Sequence, residues 1–224
     1  MRAEGGPIGE AGVRDYFRTR FAPDNRRDAV WRRIVPYLGR WVPADGAVVD
    51  VGAGYCSFIN NVQARRRVAV DLNPGTAEYA AAPVEFVRAS ASDLSPLADA
   101  TFDTVFASNL LEHLSREDIA QAVEEFLRIL RPGGRLILIQ PNYRLCSERY
   151  FDDYTHLTPL SDVSLVDLLE VNGFAVEHVE SRFMPFSLKS RAGHLAVMIP
   201  LYLKLPWRPL AAQMLVIATR GKVD

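Results

Sequence analysis

What these 224 residues have little of narrows the field first. Two cysteines, Cys56 and Cys146, and four histidines are too few and too scattered for a disulfide framework or a zinc cluster. A reducing compartment, the cytoplasm, is therefore the expectation. No uninterrupted apolar run approaches a membrane span, and the first residues hold no apolar signal core. The formal charge is -1, from 26 basic and 27 acidic residues, so there is no broad cationic field to attract a polyanion. The arginine clusters at 26–27, 32–33 and 65–67 read as solvated faces. Trp31, Trp41 and Trp207 build no aromatic and basic track for single-stranded nucleic acid. No nucleic-acid partner is expected, and no metal-ligand set either. Adjacent Asp152 and Asp153 are a weak motif, and His178 and His194 close no cluster.

What is present is organised around residues 48–58, VVDVGAGYCSF. Val48, Val49 and Val51 favour a buried strand, and Gly52 and Gly54 suit a tight turn with no Cβ in the way of a ligand. Residues 57 to 63 are expected to continue as a short helix. Asp50 beside that turn would repel a diphosphate but orient an ammonium group or the turn itself. A second apolar run, residues 67 to 74, ends in Asp71, about 20 residues beyond the turn, the spacing at which a carboxylate accepts the hydroxyls of a ribose. Both NAD and S-adenosylmethionine contain one. Cys56 stands where a dinucleotide fingerprint would have a third small residue.

The rest of the chain reads as alternating strands and helices. Residues 1–44 form a helical cap or lid, from which Tyr16 and Arg20 can reach a cofactor; Pro36 bends or divides its second helix. Further strands are expected at 84–88, 102–107, 135–140, 174–179 and 214–218, helices at 115–130 and 161–171, and a polar loop at 142–156. Such βα repeats build a mostly parallel sheet whose ligands gather beyond the strands' carboxyl ends, where Asp50, Asp71, Ser90 and Asn109 converge. The segment 194–212 is unusually apolar but broken by Pro200, Lys204, Pro206, Arg208 and Pro209. It lines the core and the substrate cleft, or forms an interfacial patch.

In order, VVDVGAGYCSF, VAVDLNP at 68–74, SNLLEHL at 108–114 and LRPGGRLILIQPN at 130–142 resemble the class I S-adenosylmethionine-dependent methyltransferases over residues 45 to 219. The resemblance implies a Rossmann-like α/β sandwich with a seven-stranded sheet, six strands parallel and the last antiparallel, and S-adenosylmethionine as cofactor. It implies that Gly52, Ala53 and Gly54 lie under the methionine part, with Asp50 near its amino group or orienting the turn. Asp71 then accepts the ribose diol, Leu72 and Asn73 border the adenosine, and Asn109 and Leu110 lie near the methionine. Ser90 and Ala91 stand where an adenine-binding Asp is common, with Asp93 the alternative. More narrowly, YCSFIN, YFDDYTHLTPLS at 150–161 and the LYLKLPW tail resemble bacterial methyltransferases of sugars, glycans or specialised small molecules, which marks an acceptor loop near 142–160.

Methyl transfer needs an aligned nucleophile and exclusion of water. His156 is the candidate general base, with Asp153 orienting its ring or binding the acceptor; its bland role is to fix the loop before Pro159. His113 is the competing base, or simply fixes its junction. Asn142, Tyr143 and Arg144 can line the acceptor site, and residues 183–186 form a wall or, more simply, core. The expected activity is methylation of a small-molecule hydroxyl, on a sugar, a glycan or a lipid-linked sugar, by a cytoplasmic monomer or homodimer that touches a membrane from the side. N- or carboxyl-methylation and a non-catalytic S-adenosylmethionine-binding regulator are the rivals.

Overall fold

A computed structural model describes residues 25–185 and 196–221. Tyr16, Arg20, His194 and Phe186 lie outside the described residues. Helix α1 (Asn25–Leu38) and a 3-10 turn (Gly39–Trp41) lead into the sheet. Pro36 sits in the last turn of α1 and leaves it one helix. The strands are β1 (Ala47–Val51), β2 (Arg66–Asp71), β3 (Glu85–Arg88), β4 (Phe102–Ser108), β5 (Leu130–Pro141), β6 (Phe174–Pro185) and β7 (Ala211–Arg220). Their order across the sheet is β3-β2-β1-β4-β5-β7-β6. β7 runs antiparallel to both β5 and β6, and the other pairings are parallel. Six strands thus point one way and β7 the other, as expected.

Burial on both faces explains the near-continuous apolar strands. β1 is buried along its whole length, the pattern of a central parallel strand covered by layers on each side. One face packs on helix α2 (Arg116–Ile129) through Ile119, Val123, Phe126 and Ile129. Ser115 caps α2, its hydroxyl oxygen accepting from the Asp118 backbone N–H at 3.1 Å. The other face packs on α1 through Val30, Ile34 and Leu38. Phe183 and Met184 belong to this second core, the simpler of the two expectations for them.

Three local expectations are corrected. Residues 57–61 form turns rather than a continuous helix, although Asn60 N–H donates to the Cys56 carbonyl and Val62 N–H to the Phe58 carbonyl; Cys56, just before them, holds a left-handed φ of 55°. The stretch expected to be a polar loop contains helix α3 (Tyr143–Tyr150), capped by the Asn142 side chain and kinked at Cys146. β5 begins five residues early, where Leu130 pairs with Phe102 across an irregular register. Helix α4 (Asp162–Val171) opens on a Ser161–Ser164 capping box. Within the apolar tail, the short helix α5 (Ile199–Tyr202) buries Ile199 against the α1 side of the core. Val197, Met198, Leu201, Trp207 and Leu210 stay exposed. No helix among the described residues is long and apolar enough to cross a membrane.

Candidate active site

The turn after β1 is stitched to β2. Gly52 N–H and Ala53 N–H both donate to the Val70 carbonyl, at 2.9 and 3.0 Å. Gly52 has a φ of 74°, and a Cβ there would lie 2.9 Å from Leu110 Cδ1, so Leu110 at the β4 exit closes against the turn only because residue 52 is glycine. Gly54 N–H donates to Asp71 Oδ2 and Asn73 N–H to Asp71 Oδ1, each at 2.8 Å. The Asp71 carboxylate is therefore fixed between the two loops, and each oxygen keeps a lone pair for a further donor.

Burial raises the pKa of Asp71, while these two N–H groups oppose the rise. Asp50 is driven further: burial first, then the charge of Asp71, raise its pKa well above the ordinary carboxylate value, against the pull of the Ile59 backbone N–H. Two buried carboxylates beneath a glycine turn suit a ligand that brings hydroxyl donors and a positive charge. Among the described residues, this is the chemistry of S-adenosylmethionine, and the residues fit it: Asp71 for a ribose diol, Asp50 behind the turn.

A stability consequence follows from Asp50. A carboxyl whose folded pKa is raised stabilises the fold most below its ordinary range, and that contribution is lost as pH rises through the elevated value. The cofactor-free protein should lose stability over this window with a slope of up to about 1.4 kcal/mol per pH unit for the one proton. Asp50→Asn should flatten the curve. Urea denaturation from acid to neutral pH measures this, and an identical slope in the variant would remove Asp50 as its source.

The remaining cofactor candidates border the same end of the sheet. Leu72 is 49% exposed beside Asp71, an uncovered apolar surface suited to a base. Asn73 caps the turn at Pro74–Tyr79 through Gly75 N–H. The Ala89 N–H donates to the Asp71 carbonyl at 3.3 Å, bringing the β3 exit alongside, and Ser90 Oγ contacts Ser92 Oγ at 2.9 Å next to buried Ala91. Asp93 is exposed and accepts from Ser95 N–H at 3.1 Å. Asn109 holds a left-handed φ of 50° and accepts from Gln213 Nε2 at 2.8 Å.

Beyond the β4 exit, the LEH residues form a 3-10 turn (Leu111–His113). The chain after α3 is bonded onto it: Leu157 N–H donates to the Glu112 carbonyl at 2.8 Å, and the Thr158 hydroxyl to the Leu114 carbonyl at 2.7 Å. This brings His113 and His156, 43 positions apart, to a ring separation of 4.9 Å. His156 Nδ1 lies 2.7 Å from the Tyr150 carbonyl. The Asp153 carboxylate accepts from the Thr155 hydroxyl at 2.6 Å and from its N–H at 3.1 Å. Thr155 Oγ1 in turn lies 3.0 Å from His113 Nδ1. Asp153 thus orients His113 through Thr155, whereas the His156 ring is anchored by a backbone carbonyl. Burial pushes the Asp153 carboxyl up, but Thr155 and the two imidazoles outweigh it and leave it below its ordinary value.

Near the two imidazoles lies Glu112, unmarked in the sequence except within the SNLLEHL segment. Glu112 is 1% exposed; apart from the weak pull of its own backbone N–H, neither carboxylate oxygen has a donor. Burial raises its pKa to about 8. Thr155 and Tyr150 were likewise unmarked. Arg144 faces Asp162 at 3.4 Å on the exposed side, and Cys56 is a buried thiol whose pKa burial pushes up to about 12, consistent with packing.

Comparison with known proteins places this geometry. Residues 49–138 match the family model described as a methyltransferase domain. A protein of Mycolicibacterium smegmatis named as a probable S-adenosylmethionine-dependent methyltransferase is 31% identical over 68% of this chain and 59% of its own length. The malonyl-[acyl-carrier protein] O-methyltransferase of Dechloromonas aromatica is 33% identical over 58% of this chain and 50% of its own. The chain thus spans roughly half to three-fifths of the length of these relatives. Among solved structures, one from a Haloferax volcanii complex of the Trm112 methyltransferase activator with a methyltransferase superposes with a TM-score of 0.71. At 19% identity it covers 95% of this chain and 99% of that one, a likeness of fold.

Proposed function

We propose, from a fold shared with a solved methyltransferase structure and a methyltransferase-domain match at residues 49–138, that this chain is a class I S-adenosylmethionine-dependent methyltransferase and that it methylates a hydroxyl of a small molecule, with a sugar or glycan-like compound as acceptor. S-adenosylmethionine supplies an electrophilic methyl group on a sulfonium. The chain's own residues supply the rest. Asp71, Leu72 and Asn73 hold the nucleoside, Gly52, Ala53 and Gly54 form the floor, Asp50 sets the charge beneath it, and Ser90, Ala91, Asn109 and Leu110 close the sides.

The observation behind the hydroxyl reading is the pair of imidazoles held at the β4 exit by the segment after α3. A carboxylate acceptor arrives already deprotonated and would leave both histidines idle, whereas a hydroxyl must lose a proton as it attacks. With Nδ1 turned to the Tyr150 carbonyl, His156 presents Nε2 as the accepting atom, and Asp153 steadies the neighbouring His113. His156→Ala should lower turnover by about 10²- to 10⁴-fold with S-adenosylmethionine affinity retained. Unchanged turnover would move the role to His113 or to no base.

The acceptor class is tested by incubating the protein with methyl-labelled S-adenosylmethionine and an extract of its source cells, then fragmenting the labelled product. Label on a sugar oxygen is the expected result; label on nitrogen or a carboxyl oxygen would replace the reading with one of its rivals. Cofactor binding with no labelled product across extract fractions would favour a regulatory binding protein. The exposed side chains of the tail, Met198, Leu201, Trp207 and Leu210, suit a cytosolic enzyme that meets a lipid-linked acceptor from the membrane side. Partition of the labelled product into the aqueous phase alone would count against that part.

A further inference from the structure

We infer that Glu112, His113 and His156 together form a binding site for a divalent first-row transition-metal ion. One potential ligand atom from each lies within 4.8 Å of the other two. The hydrogen bonds then settle which nitrogens are offered. A carbonyl only accepts, so His156 Nδ1 at 2.7 Å from the Tyr150 carbonyl carries the proton, and Nε2 of the neutral ring carries the lone pair. The Thr155 hydroxyl has one proton, and it goes to Asp153 at 2.6 Å. His113 Nδ1, 3.0 Å from that oxygen and 3.3 Å from the Thr155 carbonyl, must therefore donate as well, which again leaves Nε2 as a base.

Each ring thus offers Nε2 as its ligand nitrogen, beside a carboxylate that is likewise an acceptor. His113 Nε2 and Glu112 Oε1 are 4.0 Å apart, beyond hydrogen-bonding distance. The Glu112 carboxylate is almost fully buried and, among the described residues, accepts from no other residue, so a cation would complete its surroundings. Metal ligands sit about 2.0–2.2 Å from such an ion, so closure asks for side-chain shifts on the order of 1 Å. Both imidazoles already have the outer partners typical of metal-bound histidine: a backbone carbonyl for His156, and a hydroxyl backed by a carboxylate for His113.

The donor set selects the ion. Two imidazole nitrogens with one carboxylate suit manganese through zinc, while magnesium and calcium prefer oxygen throughout. Three protein ligands leave positions open. On the methyl-transfer reading above, an ion held there would have an open position for the acceptor hydroxyl and would lower its pKa, so that its proton passes to solvent water; His156 would then act as a ligand in place of the base role proposed above. The metal titration uses neither cofactor nor acceptor, so its failure is distinct from failure of that reading.

The test adds cobalt(II) alone to the chelator-treated full chain. The expected result is saturation at one equivalent, with two exchangeable, hyperfine-shifted imidazole N–H signals in the proton spectrum, one from each Nδ1–H. Glu112→Gln should weaken cobalt binding at least about tenfold, the lower end of what loss even of an outer partner does. His156→Gln should remove one of the two signals. Absence of stoichiometric binding, binding without shifted imidazole signals, or binding unchanged in both variants would each overturn the inference. The wild-type spectrum decides even where a variant fails to fold.

Discussion

Asp71→Ala is expected to weaken S-adenosylmethionine binding by about 100-fold or more, while His156→Ala leaves it within experimental error of the unaltered chain. The carboxylate is buried, fixed by Gly54 N–H and Asn73 N–H at 2.8 Å each, and positioned to accept two hydroxyl protons. Hydrogen bonds to a charged group contribute about 1.5–3 kcal/mol each, and two at the lower figure already give the stated factor. Alanine also releases the Gly54 and Asn73 backbones, so part of the loss is disorder of the turn. Asp71→Asn separates the two: its amide oxygen still accepts, but one N–H must turn away from donors. It should bind between the two extremes. Calorimetric titration measures all three, and equal affinities for Asp71→Ala and His156→Ala would defeat the division of roles.

Arg208→Ala should cost about 3–5 kcal/mol of unfolding free energy, the loss typical when one partner of a buried ion pair is removed. Arg208 is buried and bonds the Glu180 carboxylate directly. Its other nitrogen donates to the Leu203 carbonyl at 2.8 Å and lies 3.2 Å from the Tyr37 hydroxyl. Tyr37 belongs to α1, Glu180 to β6 and Arg208 to the apolar tail, so one guanidinium ties three distant segments together. Burial alone would raise the Glu180 pKa; the Tyr37 hydroxyl, His178 and Arg208 hold it below the ordinary value. Without Arg208 the first two remain, which places the loss toward the lower end. Arg208→Lys keeps the charge but not the fork, and should recover only part of it. A loss under about 1 kcal/mol on urea denaturation would show the pair to be solvent-like in its energetics.

Much of the sheet end around the glycine turn was legible because its determinants are local. A valine run, a glycine turn and an aspartate one strand later form within a few residues of one another, and the structure brings Asp50, Gly52 and Asp71 together accordingly. The helix expected at 57–63 is replaced by turns, and the left-handed backbone of Cys56 just before them is a feature no sequence pattern displays. Helix α3 was hidden because its sequence, YRLCSERY, is polar enough to read as loop, and its buried face depends on Cys146 and Tyr150 packing with Ala212 of β7.

The histidine cluster at the β4 exit was legible only in part, since it is assembled by long-range contacts. His113 and His156 were singled out as rivals for one role, yet the fold sets them side by side. Asp153 was paired with the nearer histidine in sequence, while its carboxylate works through Thr155 on the farther one. Glu112 reads along the chain only as part of the LEH segment, because its burial without a donor among the described residues appears only in three dimensions. Arg208 likewise reads along the chain as a charge interrupting an apolar tail, although it is a buried tie.

The most direct measurement of the central claim is a parallel calorimetric titration of the unaltered chain with S-adenosylmethionine and with NADH. On the proposed reading both ligands would present a ribose to Asp71, but only the first would bring a cationic amino acid in place of a diphosphate over Asp50. The account predicts saturable binding of one S-adenosylmethionine per chain and none of NADH. Saturation by NADH, or no saturation by S-adenosylmethionine, would contradict it.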